Sequence, residues 1–364
     1  MCQKIIPIFV MYRGCPHRCI YCNERITAGN HPDRITGDMF RNIVDKCLKT
    51  MNRNTESIQI AFYGGNFTGI DKNYQTELLE AAEAYIQGGP IDSIRISTRP
   101  DYIDPDRVKL LKQHSVTTVE IGAQSMVDEV LTLSERGHTS DDVRNAVGIL
   151  QNSGFKTGIH LMVGLPGDTE ERFQYTVEEV IRLHPDMARI HPTIVFRNTA
   201  LAEMYAEGYY EPLTLPDAVR LCKYALGKFE TARIPVIRLG LQTTSEMETT
   251  GSIVAGPYHP AFRSLVSGSI FLDMASYLLT LAQPRKEEVT FRLHPKDVSD
   301  FRGMKNKNTV TLKERFDIPL ISIREDSKQE RGSLVLVING EKNKTFRISN
   351  VEIQSPNQIQ NTGC

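Results

Sequence analysis

The chain alternates short apolar runs with amphipathic ones. Ile5 to Val10 is an apolar run that stops at a loop; from Thr36 and Asp38, apolar residues recur three and four apart through Phe40, Ile43, Val44, Cys47 and Leu48, predicting a helix; residues 57–63 again read as a strand. The pattern continues as helix 74–87, strand 93–98, helix 106–114, strand 117–122, a helix capped by Asp141 and running to Asn152, strand 154–163, a helix opened by Asp168-Thr169-Glu170-Glu171, and strand 187–196. Strands joined by helices through short links predict a parallel sheet with right-handed crossovers. Six such units fit residues 1–206 as a partial (β/α)6, TIM-like barrel of the α/β class. Ligands on such sheets collect at the carboxyl ends of the strands. This register places Gly64, Gly65, Asn66, Ser97, Thr98, Arg99, Gln124 and Ser125 there.

A helix from Leu215 and a strand over 235–242 follow. Two prolines and a glycine then frame Tyr258 and His259, either as a rigid turn presenting a general acid or donor, or as a helix-entry turn with Pro260 in the first helical position. The order then changes to strand 289–293, helix 297–301, the loop Arg302-Gly303-Met304-Lys305-Asn306-Lys307-Asn308, helix 309–316 and strand 320–323. The expected organisation is a barrel over 1–240, a helical substrate-side segment over 241–284, a small basic α+β domain over 285–349, and a disordered tail over 350–364, rich in Gln, Asn and Ser.

Composition narrows this further. A chain of 364 residues with 40% hydrophobic content suits one α/β barrel with an appendage. A formal charge of −1 excludes a protein basic throughout, yet residues 285–348 carry +5, leaving −6 for the remainder. Seven cysteines, three of them in one loop, do not form a disulfide framework and suit reduced, cytoplasmic surroundings. Cys2, Cys47, Cys222 and Cys364 are expected to have no role. No signal peptide is visible, and the most apolar stretch, 265–282, is interrupted by Asp273 and serines, so no membrane span is expected.

The candidate chemistry lies in Gly14-Cys15-Pro16-His17-Arg18-Cys19-Ile20-Tyr21-Cys22-Asn23. Three thiolates at these gaps let one short loop wrap a soft-metal centre. A structural zinc site takes four protein ligands, which His17 or His31 would complete; around a 4Fe-4S cluster, three thiolates leave one iron open. The Cys, three residues, Cys, one residue, aromatic, Cys pattern resembles the signature of the radical S-adenosylmethionine (SAM) enzymes. That resemblance implies that Cys15, Cys19 and Cys22 ligate a 4Fe-4S cluster, whose open iron chelates SAM and whose reduced form cleaves it to a 5'-deoxyadenosyl radical. It also implies that Tyr21 packs near the adenine, that Gly64-Gly65-Asn66 meets the methionine amino group with Asn66 where many relatives have Glu, and that the strand ending at Gly164 backs the adenine. An external reductant such as flavodoxin or ferredoxin is implied too.

Residues 119–125, with Ser134-Glu135-Arg136-Gly137-His138-Thr139 after them, resemble the catalytic subunit of Elongator and its bacterial and archaeal relatives. By that resemblance, the Gln124-Ser125 turn faces SAM and Arg136 pairs with the SAM carboxylate, a geometry that its planar fork suits. The plain alternative for Arg136 is a solvated loop cation. His191 stands where Tyr is common in that branch, and His160 reads as a satisfied core residue. The implied activity is SAM-dependent modification of a tRNA base. Two departures, no long insertion in the cysteine loop and no following acetyltransferase domain, argue against acetyl-CoA-dependent carboxymethylation of wobble uridine. Residues 285–349 resemble a KH-type RNA-binding core, with Arg302, Lys305 and Lys307 on its glycine loop and Asn306 replacing the second glycine; a basic loop on a structural cap is the competing reading. The Gly164-Leu165-Pro166-Gly167 and Gln-Ser turns also resemble oxygen-independent coproporphyrinogen oxidases, and a non-catalytic cluster- and RNA-binding protein is a third possibility.

Overall fold

The computed structural model describes residues 2–11, 14–16, 18–51, 56–284, 287–338 and 344–349. His17, the tail expected to be disordered and Cys364 lie outside these residues. In chain order the elements are β1 (Cys2–Val10), α1 (Glu24–Thr27), α2 (Gly37–Leu48), β2 (Glu56–Gly64), α3 (Lys72–Gln87), β3 (Ser93–Thr98), α4 (Pro105–Gln113), β4 (Val116–Gln124), α5 (Asp128–Leu133), α6 (Ser140–Asn152), β5 (Lys156–Val163), α7 (Glu170–Arg182), β6 (Met187–Pro192), β7 (Val195–Phe196), α8 (Ala200–Ala206), α9 (Leu215–Thr231), β8 (Val236–Leu239), α10 (Ser245–Glu248), β9 (Ile253–Ala255), α11 (Phe262–Ala282), β10 (Val289–Leu293), α12 (Val298–Arg302), α13 (Lys307–Phe316), β11 (Ile321–Glu325), β12 (Ser333–Ile338) and β13 (Lys344–Ser349).

They form two compact units, residues 1–215 with 234–260, and residues 216–233 with those from 261 on. The chain therefore leaves the first unit before α9 and returns to it for β8, rather than parting once near 240. The separate segment expected over 241–284 is divided between the two units.

In the first unit, seven strands pair in parallel in the order β1-β2-β3-β4-β5-β6-β8. The seventh strand extends the expected six by joining β6 through Ala188↔Val236. One cavity is lined by Phe9 of β1 and by Arg238 of β8, so the two edge strands face the same space and the sheet curls as a partial barrel. Alternation along β1 follows from this curl. Ile6, Ile8 and Val10 are buried away from the cavity, whereas Ile5, Pro7 and Phe9 line it. Helices cover the outer face, where Phe40 of α2 stacks on Phe62 of β2 with centroids 6.2 Å apart. Burying each such side chain contributes roughly 1.5–3 kcal/mol.

Two local readings change. α6 is capped by Thr139, not Asp141: its hydroxyl accepts from the Asp142 N–H while the Asp142 carboxylate accepts from the Thr139 N–H, satisfying two donors at once. The strand expected to reach Phe196 stops at Pro192. Thr193 turns to donate its N–H to Val163 O, and β7 pairs antiparallel with β9 outside the main sheet.

In the second unit, a four-stranded sheet runs β11-β10-β12-β13, with β10 and β11 parallel and the other pairs antiparallel. The expected strand, helix, glycine turn, helix and strand are all present. Among the described residues one helix, α11, is long and apolar enough to cross a membrane. Its Val266, Ile270, Phe271, Met274 and Leu278 are buried, and Phe271 meets Phe301 of α12 edge-on at 6.3 Å. α11 is thus the core helix of this unit, with Asp273 on its outer side paired to Lys223 of α9 at 2.6 Å.

Candidate active site

The cysteine loop follows β1 and is closed by a turn in which the Cys22 N–H donates to Cys19 O at 3.0 Å. Cys15 is exposed, Cys19 buried and Cys22 half-buried. Burial, then Glu24 and the neighbouring thiols, push the Cys22 thiol upward from its ordinary pKa. Arg136 reaches this loop, donating from Nη1 to Cys19 Sγ at 3.1 Å and from Nη2 to Gly122 O at 2.7 Å. It is buried and not a solvated cation. Its Nε and the Tyr21 hydroxyl are buried without a partner.

The strand ends converge on the same loop. Asn66 donates from Nδ2 to Gly14 O at 2.8 Å, and its Oδ1 accepts from the Thr98 hydroxyl at 2.5 Å and the Arg99 N–H at 3.2 Å. This amide braces the cysteine loop and is not left free to accept from a ligand. Gly64 serves close packing as well: at φ +102°, a Cβ there would lie 2.6 Å from Val10 O. Its neighbour Gly65 donates its N–H to the same carbonyl at 3.1 Å. Arg99 grips Asp101 through Nε and Nη2, both at 2.9 Å, leaving Nη1 buried and unpartnered. Gln124 takes φ +68° at a register shift ending β4, with Oε1 unpartnered. After β5, Gly164 donates its N–H to Asp168 Oδ2 at 3.0 Å and accepts from the Tyr210 hydroxyl at 2.6 Å. Burial pushes the Asp168 carboxyl up to about 6, and its Oδ1 has no partner.

Residues 9–180 match the radical SAM superfamily and residues 185–270 the radical SAM C-terminal domain. The chain belongs to the radical SAM superfamily. It is 28% identical over 261 residues to the tRNA uridine(34) acetyltransferase of Methanocaldococcus jannaschii, covering 61% of this chain and 48% of that protein. It is also 26% identical over 196 residues to Elongator complex protein 3 of Homo sapiens, covering 48% and 36%. The chain thus spans about half the length of the first of these or less. The archaeal Elp3 of Methanocaldococcus infernus, with an N-terminal deletion, shares the fold at a TM-score of 0.57 and 21% identity, over 79% of this chain and 66% of that one.

As a radical SAM enzyme the protein takes a 4Fe-4S cluster and SAM as cofactors. Among the described residues no three His, Cys, Asp or Glu side chains converge as a ready-made metal site. The donor chemistry nevertheless fits the cluster: three soft thiols on one loop, with buried polar atoms of Tyr21 and Arg136 beside them that have hydrogen-bonding capacity left. His31, the alternative zinc ligand, is stacked on Phe9 at 4.7 Å, with its Nε2 2.9 Å from Ala28 O.

A cavity of about 580 Å³ extends inward from Tyr21, Cys22, Gly64 and Ser97. Its floor holds a buried ionic cluster absent from the sequence reading. Glu120 pairs with Arg95 at 2.7 Å and with Arg189 at 2.6 Å; Gln59 Oε1 accepts from Arg95 at 3.1 Å, and the Tyr63 hydroxyl accepts from Arg189 at 2.6 Å. Gly158 leaves room for it, since a Cβ there would lie 3.0 Å from Glu120 Cγ. A signal did exist: in strands expected to be covered on both faces, polar residues recur at every second position, as Arg95 and Ser97, or Arg189 and His191. Tyr258 and His259 do not line this cavity. The Tyr258 hydroxyl bonds Thr243 at 3.0 Å and its ring packs against the cluster of Ile26, Ile194, Phe196 and Met247. α11 begins at Phe262, not at Pro260.

In the second unit, Arg302, Lys305 and Lys307 are exposed around the turn that joins α12 to α13. Gly303, Lys305 and Asn306 all take positive φ, of 68°, 51° and 60°. Asn306 therefore adopts the left-handed geometry expected of it as a glycine replacement. Asn308 fixes the turn by donating to Gly268 O at 2.8 Å and Phe301 O at 3.1 Å.

Proposed function

We propose that the protein cleaves SAM reductively at a 4Fe-4S cluster that Cys15, Cys19 and Cys22 would hold, in order to modify a base of an RNA, most specifically a tRNA. What carries the reading is one continuous cavity that joins the cysteine loop to a polar interior, in a chain whose relatives include named tRNA-modifying enzymes. When bound, the cluster and SAM supply the one-electron bond cleavage, with electrons from a flavodoxin- or ferredoxin-type donor. The protein's part is positioning. Arg136 holds Cys19 while offering an unpartnered Nε toward the cofactor side, Asn66 fixes the loop against β3, and the unpartnered Tyr21 hydroxyl and Gln124 carbonyl complete the polar rim. Apolar walls, including Phe9 and Ile194, keep water from the reacting centre.

The left-handed basic turn of the second unit is assigned to the RNA backbone, which its exposed Arg302, Lys305 and Lys307 suit. Replacing Arg302, Lys305 and Lys307 by Glu is expected to weaken bulk tRNA binding and flatten its salt dependence. The test of the whole reading is anaerobic incubation of the reconstituted enzyme with bulk tRNA and SAM, followed by nucleoside mass analysis. A new nucleoside that requires SAM is the expected result. SAM cleavage with unaltered tRNA and no tRNA binding would overturn the RNA assignment.

A further inference from the structure

The corner of the cavity between β5, β6 and β8 has no part in the chemistry above. His160 and His191 meet there, His160 Nε2 lying 3.0 Å from His191 Nδ1, with the rings edge to face at 4.3 Å. One shared proton allows two arrangements. If His160 donates, the proton of His191 sits on Nε2; if His191 donates, Nε2 is a bare lone pair. Either way His191 Nε2 is one hydrogen bond short, and it is buried without a partner. The surroundings disfavour a charged pair. Burial, then Arg189 and Arg136, push His160 down to about 3, and burial, His160, Arg189 and Arg238 hold His191 well below the ordinary range.

The groups around this atom favour acceptors. Arg189 and Arg238 are register partners on adjacent strands and both line the cavity, while the Glu120 carboxylate is already engaged by Arg95 and Arg189. Met162, Ile194 and Phe196 supply apolar walls for a flat ring. We propose that this corner receives the substrate base, His191 Nε2 and Arg238 taking the carbonyl-bearing edge of a uracil-type ring while His160 fixes the tautomer of His191. The assignment rests on the RNA reading above. It makes His191 a specificity-determining residue, and His160 a positioning residue that acts through it.

The experiment uses the full chain with uridine 5'-monophosphate as probe and cytidine 5'-monophosphate as comparator, reading imidazole nitrogen NMR shifts and equilibrium dialysis, with bulk tRNA binding measured in parallel. Uridine monophosphate is expected to shift the His191 ring nitrogens and to bind more tightly than the cytidine nucleotide. His191→Phe is expected to weaken it about tenfold, the loss of one good hydrogen bond. His160→Phe is expected to change the His191 tautomer signal. If tRNA binds while uridine monophosphate leaves His191 unmoved, the base site is elsewhere and only this assignment falls. If neither nucleotide nor tRNA binds, the RNA reading falls and this assignment with it. Should His191→Phe fail to fold, the wild-type shifts decide the matter.

Discussion

The floor and the mouth of the half-barrel are both built from buried polar groups, but the floor is joined through ion pairs while the mouth keeps more atoms without a protein partner. Arg95, Glu120, Arg189, Tyr63 and Gln59 close a network of ion pairs and hydrogen bonds. At the mouth, Tyr21 Oη, Arg99 Nη1, Gln124 Oε1, Arg136 Nε and Asp168 Oδ1 are buried with no protein partner. Native proteins leave few such atoms, because each costs about 1–3 kcal/mol. Their concentration at the carboxyl ends of the strands separates a region built for stability from one built for ligands.

Breaking the floor is expected to have the largest effect on stability. Glu120→Ala leaves two arginines buried without their carboxylate and should cost about 3–5 kcal/mol, read as a fall in the denaturation midpoint. An unchanged midpoint would mean that solvent already reaches the floor. The mouth should respond in the opposite sense. Asp168 has its folded pKa raised from 3.8 to about 6, so the folded state binds the extra proton and stability falls as pH rises between those values. Asp168→Asn, which keeps the acceptor for the Gly164 N–H, should therefore match the wild type below that window and exceed it at pH 7–8 by up to about 3 kcal/mol. A constant difference across pH would contradict the assignment.

Much of the mouth was legible in the sequence, because its motifs are local. The cysteine spacing, the Gly64-Gly65 pair and the strand ends each lie within a few residues, and period alone places them at one edge of a parallel sheet. The pairing at the floor was not legible, since Arg95, Glu120 and Arg189 come from three strands and meet only once the registers Ser97↔Glu120 and His160↔Arg189 are set. Asn66 shows the opposite failure. Its position was readable from sequence, but its use as a strut to Gly14 depends on where the cysteine loop returns.

Gly64→Ala sharpens the comparison at an intermediate scale. Strain at φ +102° and the contact with Val10 O should cost roughly 1–3 kcal/mol by thermal unfolding, with the floor intact. Tyr21→Phe should be the mildest change. Deleting an unpartnered hydroxyl is expected to leave the stability of the cofactor-free protein unchanged or raise it by up to about 1 kcal/mol. A marked loss there would show that the mouth, like the floor, is internally satisfied.

The central claim, that the unsatisfied mouth is a SAM-cleaving centre held by three cysteines, is tested most directly by anaerobic reconstitution with iron and sulfide. Dithionite reduction with SAM and chromatography for 5'-deoxyadenosine then follow, beside the Cys15→Ala, Cys19→Ala, Cys22→Ala triple variant. The account predicts 5'-deoxyadenosine from the wild type and none from the variant. Equal yields from both, or a wild type that takes up zinc and releases no 5'-deoxyadenosine, would contradict it.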